Sequence, residues 1–506
     1  MPGELRWQKY YMDASIKSSR LKFYAILEKP FGSAALIPPP HPAGDALQIS
    51  PPLIPHGTKA MEVTSKFVTK EAPALVLGFR ASPSLLSISS ERALRWVREL
   101  EAPMKYVSVE GAEGGIFAAL SGGLLYFLSR AGKPQWKYRI GPEVMALASS
   151  SAGQCAAVAD EKGRVACIAL DGKPLWSARL ESPARALRMA GDGSAALSLD
   201  QAGGVSLIAQ GGRVLWRRAF PDGVRDFAAT GSLSRTVVLT GHALHSLSFD
   251  GSELWTVDVP EGTSAVRMPE DGEGIYAIGP RTVARYLPGG KRQWLGDIDS
   301  HPPSSSVMPG PRLLLLPFQG GAAAVDKWGN LVLECPVPVA CASASFAFYD
   351  GMGTIFSIGE AGGSTHLFIL DVGPSLVDYL LRASRVLADE CARAGQAAPM
   401  ADRSFLDALN AASSSDLRGA LASAELACRY YEEALSAIQK SADGVVTPEA
   451  MAAVEISARE ALEKPLSSRK PSLTARCFCG ASNPVFETER PFLNLCPKCG
   501  KLGLVR

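Results

Sequence analysis

Six tryptophans recur along the middle of this 506-residue chain at almost constant stride: Trp96, Trp136, Trp176, Trp216, Trp255 and Trp294, spaced 40 or 39 apart. One stride further stands Leu333. A glycine precedes five of the six tryptophans by four positions (132, 172, 212, 251 and 290), and Gly329 keeps that offset before Leu333. A period near 40 residues means stacked supersecondary units and excludes a single irregular core. Residues 181–220 show what one unit contains. Four apolar runs, ARALRMA, SAALSLD, VSLIAQ and VLWRRAF, are separated by GDG, QAGG and GGR. Runs of five to seven residues with period-2 patterning between Gly and Asp turns read as strands joined by hairpins. Four antiparallel strands per repeat make a propeller blade. Helical repeats of similar length are excluded by the glycine density and the pattern.

The fold class expected is therefore mainly β, a β-propeller. On the last strand of each blade, an indole can pack its large apolar face against the neighbouring blade. Trp7, in GELRWQKYYM (3–12), occupies the same kind of position with no three strands before it, while THLFILDVG (365–373) resembles a third strand with none after it. The economical solution is that an N-terminal strand completes the last blade, because closing the ring removes exposed edges. This gives eight blades, with seven as the alternative. Residues 35–57 hold seven prolines and read as an insertion, loop or polyproline II, within a propeller spanning 1–373.

The D-G-K-x-L-W run at 171–176 resembles the PQQ-like repeat of the quinoprotein-like propellers. That superfamily includes quinone-dependent alcohol dehydrogenases and a non-enzymatic lipoprotein of the outer-membrane barrel-assembly machinery. The resemblance implies the fold over about residues 60–373. The enzymes would imply a calcium site with an acidic catalytic residue and often vicinal cysteines; this chain has no adjacent cysteines and lacks the Thr of the fuller TGxxxW form. The fold is carried over and the chemistry is not.

From Pro374 the texture changes. Leu376, Leu380, Ala383, Leu387, Cys391 and Ala394 share one helical face, with Gly395 as a stop. DRSFLDALNAA reads as a short second helix. In 414–440, Leu417, Leu421, Ala424, Cys428, Tyr431, Leu435 and Ile438 follow alternating steps of four and three, a heptad seam. A further helix is expected from about 448 to 462. An antiparallel α-helical module over 374–466 is the first reading, and oligomerisation through helix 414–440 is the second; helix pairs of tetratricopeptide type fit less well, since residues do not repeat at 34.

The chain ends RCFCGASNPVFETERPFLNLCPKCGKLGLVR. Cys477 and Cys479, then Cys496 and Cys499, each pair followed by a glycine, have the chemistry of a structural Zn²⁺ site with four thiolates. The expected module is a zinc ribbon over 467–506, too small to fold without its metal. Seven Lys/Arg stand against two Glu from 465 to the end, which permits contact with nucleic acid.

Net charge is only +2, so no global field draws the chain to nucleic acid or acidic lipid. No apolar run is long enough to span a bilayer, and the N-terminus lacks a secretory pattern. Six of the ten cysteines are scattered in apolar segments, which fits a reducing compartment, so a cytoplasmic protein is expected. His242 and His245 form an HxxH pair whose spacing puts them on opposite faces of a strand, and no nucleophile-elbow, P-loop or HExxH motif occurs. The function expected is a non-enzymatic scaffold or adaptor for protein partners, with no catalytic residues and no cofactor beyond zinc. The alternatives are a nucleic-acid or ribonucleoprotein adaptor led by the ribbon and, more remotely, a quinone-dependent oxidoreductase.

Overall fold

A computed structural model describes residues 20–29, 31–37, 56–58, 74–79, 83–89, 94–109, 115–151, 154–297, 306–307, 313–349, 352–361, 364–441, 471–476, 482–486, 492–495 and 502–505. Six four-stranded antiparallel sheets follow one another along the chain. The fourth is the unit read above: Ala184–Met189, Ala195–Asp200, Gly204–Ala209 and Val214–Ala219, paired in that order. Its turns use glycine where φ is positive, at Gly193, Gly203, Gly211 and Gly212.

The first strands of consecutive sheets lie beside one another at the hub, and the tryptophan strands lie at the rim. Apolar residues do not gather into one core. They fill wedges between neighbouring sheets. One wedge joins Phe117, Leu125 and Phe127 of the second sheet to Val158, Ala166 and Ile168 of the third. The next joins Ala157, Cys167 and Trp176 of the third to Met189, Ala196 and Ile208 of the fourth. Equivalent wedges follow between fourth and fifth, fifth and sixth, and sixth and the last sheet. Central strands buried on both faces explain continuous apolar runs such as Cys155–Asp160 and Ala195–Asp200. The radial, four-stranded repetition is a β-propeller.

The last sheet has seven strands in the order Ser306–Val307, Leu314–Val325, Leu331–Tyr349, Met352–Ala361, Ser364–Asp371, Arg20–Lys29, His56–Thr58. The N-terminal strand Arg20–Lys29 thus pairs with Ser364–Asp371, and Phe31–Ile37 then enters the first sheet beside Ala74–Phe79. Expectations about Trp7 fall outside the described residues. Of the proline-rich stretch 35–57, residues 35–37 and 56–57 lie in strands, and 38–55 are outside the described residues.

Three helices follow: α1 (Gly373–Arg393), α2 (Pro399–Ser413) and α3 (Leu417–Ser441). Proline stands in the first turn of α1 and α2, where a missing N–H costs nothing. Gly395, at φ 67°, closes α1, its N–H bonding the Ala392 carbonyl. Asp416 Oδ1 caps α3 by accepting the Gly419 N–H at 3.0 Å. On α1 the expected face is buried from Leu376 through Cys391, while Ala394 is exposed at the cap. On α3, Leu421, Ala424 and Tyr431 pack within the chain: Leu421 and Ala424 share a core with Leu380 and Ala383 of α1 and Ala408 of α2, and Tyr431 packs on Leu387, Cys391 and Ala401. These seam residues are spent on an intrachain bundle. The helix expected at 448–462 lies outside the described residues.

Candidate functional site

The tryptophan stride has a local chemical cause. Five of the six indoles donate their Nε1–H across the blade boundary to a backbone carbonyl in a hairpin of the next sheet. Trp96 reaches Arg130 O, Trp136 Leu170 O, Trp216 Phe249 O, Trp255 Pro288 O and Trp294 Lys327 O, at 2.6–3.1 Å. The glycine of that next hairpin then lies flat on the ring. A Cβ on Gly132, Gly251 or Gly290 would stand 2.4, 2.7 or 2.9 Å from the indole of Trp96, Trp216 or Trp255. The glycine of the GxxxW offset therefore serves the tryptophan of the preceding blade and not its own at Gly132, Gly172, Gly251, Gly290 and Gly329, whereas Gly212 lies against the Ser177 backbone. Arg98 Nε and Arg218 Nη1 add a bond to the carbonyl of the same glycine, at 2.9 and 3.0 Å. Trp176 departs from the series: it is buried, and its Nε1 has no partner among the described residues. A bulge precedes each of the six tryptophans of the series. Trp216 pairs with Leu207 and Val214 with Ile208, so Leu215 is skipped, and the same slip recurs in the other five sheets. The bulge turns the indole toward the next blade. The packing of the indole on the neighbouring blade is the one expected from the sequence; the bulge, the bond from Nε1 to the next hairpin's carbonyl and the glycine beneath the ring are not, although the fixed four-residue offset of the glycine is their visible trace.

The hub is the other repeated surface. Polar links join one first strand to the next: Lys105 Nζ to Glu143 at 2.5 Å, Ser149 Oγ to Val109 O at 2.8 Å, and Arg225 Nη1 to Thr263 O at 2.7 Å. Arg185 Nη2 likewise donates to Val224 O. At one end the backbone itself is stitched, Gly191 N–H to Gly231 O at 2.8 Å and Gly231 N–H to Glu270 O at 2.9 Å. The strand registers place Ser108, Ala148, Arg188, Ala228 and Arg267 at equivalent positions, each opposite a residue of the second strand of its own sheet (117, 157, 197, 237 and 276). Arg267 Nη1 is 2.7 Å from Asp226 Oδ2. Arg188 Nε is buried and has no hydrogen-bond partner among the described residues. Burial pushes the Arg188 guanidinium down from its ordinary value; Glu270 opposes that shift and Arg267 adds to it.

The histidine pair does not converge. His245 Nδ1 meets Thr256 Oγ1 at 2.9 Å and its ring lies 5.0 Å from that of Phe220, whereas His242 is exposed near Asp222. Cys155 and Cys167 are both buried, and their mutual hydrogen bond together with burial holds the Cys167 thiol far above its ordinary range. Burial pushes Cys428 up to about 12. Such thiols are core side chains and not nucleophiles. Among the described residues no three His, Cys, Asp or Glu gather to hold a metal ion. Cys477, Cys479, Cys496 and Cys499 all lie outside the described residues. The strands flanking them are described: Pro471–Arg476 pairs with Ser482–Phe486, and Phe492–Leu495 with Leu502–Val505.

A junction ties wheel and helices together at the turn 326–330. Asp326 is fully buried and accepts the N–H groups of Trp328 (2.9 Å) and Asn330 (2.8 Å), Asn330 Nδ2 (3.1 Å) and the Tyr379 hydroxyl of α1 (3.4 Å). Burial pushes its carboxyl up to about 6. Lys327 offers its carbonyl to Trp294 and its ammonium to Glu432 of α3 at 2.5 Å. Trp328, outside the 40-residue series, packs on Leu387 and Tyr431.

Comparison with known proteins agrees with this geometry. A family profile described as outer membrane protein assembly factor BamB matches residues 121–217, which run from the second sheet into the fourth. No curated protein matches the chain. Sqt1 of Saccharomyces cerevisiae is 11% identical, covers 59% of this chain and 92% of its own, and superposes with a TM-score of 0.51. The β-propeller domain of Cps50 (Swd1) from Myceliophteria thermophila is 12% identical over 53% of this chain and 96% of its own, with a TM-score of 0.42. BamB from Moraxella catarrhalis is 12% identical over 51% and 95%, with a TM-score of 0.37. At 11% identity the likeness to Sqt1 is one of fold alone. No helix among the described residues is long and apolar enough to cross a membrane.

Proposed function

We propose that this protein is a non-enzymatic scaffold for protein partners, built as an eight-bladed propeller with a helical arm and a zinc-stabilised ribbon. Six blades are the four-stranded sheets, and the seven-stranded sheet, one strand short of two full blades, is taken as the other two. The observation that carries the reading is the clasp between blades. Tryptophan, glycine and an inter-blade hydrogen bond recur five times with the same partners, and this fixes the wheel as one rigid platform. Rigid faces suit recognition, because little ordering entropy is lost when a partner docks.

The ribbon rests on the donor set. Two paired hairpins have their connections at 477–481 and 496–501, and each connection carries two cysteines. Four thiolates on two such connections fit a tetrahedral Zn²⁺ and leave no open position for catalysis. The charge of the segment favours a second reading, contact with nucleic acid through this ribbon. Affinity purification of the tagged full chain with and without nuclease separates the two: partners that survive nuclease support the scaffold, and partners lost with it support the nucleic-acid adaptor. Metal analysis of the same protein is expected to give one zinc per chain, falling toward zero in Cys496→Ser. Full zinc in that variant would remove the metal assignment.

A further inference from the structure

The six tryptophan strands are outer edges: each stands last in its sheet and is paired on one side only. An open edge is a template for another strand unless its residues prevent pairing. The bulge decides what a second copy of such a strand would meet. In the sixth sheet Arg292 lies opposite Tyr286, Trp294 opposite Arg285, Leu295 opposite Ala284 and Asp297 opposite Thr282, so Gln293 is skipped and five paired positions remain. In the third and fifth sheets the N–H four residues beyond the tryptophan bonds inward, Leu180 to Gly163 O at 2.8 Å and Val259 to His242 O at 2.9 Å. Main-chain direction alternates along a strand, so the residues one and three beyond the tryptophan turn N–H and C=O outward. The sixth sheet keeps the register of the fifth, which makes Arg292, Leu295 and Asp297 the outward positions.

We propose that the edge Arg292–Asp297 docks the same edge of a second copy of this chain, joining two wheels through one continuous sheet. A two-fold axis through Leu295 pairs the strands antiparallel, with Leu295 against Leu295, Trp294 against Gly296 and Arg292 against Asp297. Charge complementarity selects this edge from the six. Opposite charges directly across a strand pair attract and like charges repel. Arg292 and Asp297 are exposed, Arg292 bonds the Tyr286 hydroxyl, and neither has an ionic partner among the described residues. Gly296 puts no side chain beside the partner's indole, where the other strands carry Arg98, Tyr138, Ala178, Arg218 and Val257. The remaining edges resist the same pairing. Pro134 and Pro174 remove a donor from the second and third. Lys137 in the second and Arg217 in the fourth would each meet its own copy at the axis. In the fifth, Glu253 would meet Asp258 twice, and in the first no base stands opposite Glu99.

The test is sedimentation equilibrium on the full-length protein and three variants. The parent is expected to dimerise. Arg292→Asp sets acid against acid at both ends of the pairing, and Asp297→Arg sets base against base, so each should weaken the dimer about 10-fold or more. The double variant Arg292→Asp/Asp297→Arg exchanges the two charges and should restore it. Both side chains are exposed, so all three variants should melt with the parent, and the rescue separates a lost contact from a damaged fold. A parent that stays monomeric at about 0.1 mM would overturn the proposal. So would a dimer that ignores both single reversals, because its contact would lie elsewhere, or one that the double variant fails to restore. Nuclease-resistant partners recovered by a monomeric parent would leave the scaffold standing while the paired edge fell.

Discussion

The wheel and its junction with the helices solve the same problem in opposite ways. Between Leu94 and Asp297 every apolar wedge is shared by two adjacent sheets, and every boundary but that of Trp176 is closed by a nearly identical clasp. Beyond Leu313 the wedges give way to one large cluster, in which Leu315, Leu333, Cys335 and Phe368 of the last sheet pack with Leu376, Leu380, Leu409 and Leu421 of all three helices. In the wheel a residue answers to its repeat neighbours alone. At the junction it answers to two kinds of secondary structure at once. Nearest-neighbour stability belongs to the first region, and long-range cooperativity to the second.

The sharpest way to break this contrast is to remove a side chain shared by both kinds of element. Leu421→Ala empties a fully buried site between α3, α1 and α2, and should cost about 2–5 kcal/mol. The loss should appear in both the helical signal and the last sheet's β signal during urea unfolding. If the helices unfold while that sheet stays intact, the shared core is wrong. A smaller effect tests the clasp. Gly251→Ala meets the Trp216 ring at 2.7 Å with φ at 82°, whereas Gly211→Ala, with φ at 91°, meets nothing within 4 Å. Strain alone is about 1–2 kcal/mol for each. The clash should add about 1–3 kcal/mol to Gly251→Ala only. Equal melting temperatures for the two variants would dismiss the ring contact as a determinant.

The smallest expected effect sharpens the junction. Because burial raises the Asp326 carboxyl to about 6 from an unfolded value near 4, the folded state holds the proton more tightly. Its contribution to stability is fully present below pH 4 and is lost as pH rises through 6. The difference in unfolding free energy between the parent and Asp326→Asn should therefore change between pH 4 and pH 7 by about 1–3 kcal/mol, with the parent losing ground as pH rises. A flat difference would show that the buried carboxyl is as acidic as a free one.

Much of the wheel was legible because a blade is a local object. Four short apolar runs with Gly and Asp turns fold against each other within 40 residues, and the strands at 184–219 fall where those runs stand. The helical faces were legible for the same reason, since 3.6-residue periodicity is written along the chain. The target of α3 was not. Its seam fits a second copy as well as α1 and α2, and hydrophobic burial has no direction until the neighbours are placed. The four cysteines of the ribbon could be read as a donor set from spacing, while Arg188 carried no signal in its local sequence.

Sequence alone determined the repeat, its strands, its turns and the tryptophan stride, because these depend on backbone propensity and on patterns shorter than one blade. Tertiary structure decided which glycine each indole covers, which acid pairs with Arg267 and leaves Arg188 unmatched, and which surface the helices occupy. Those outcomes depend on distances between residues some 35 to 105 positions apart. Such distances are set only when the blades are arranged around a common hub.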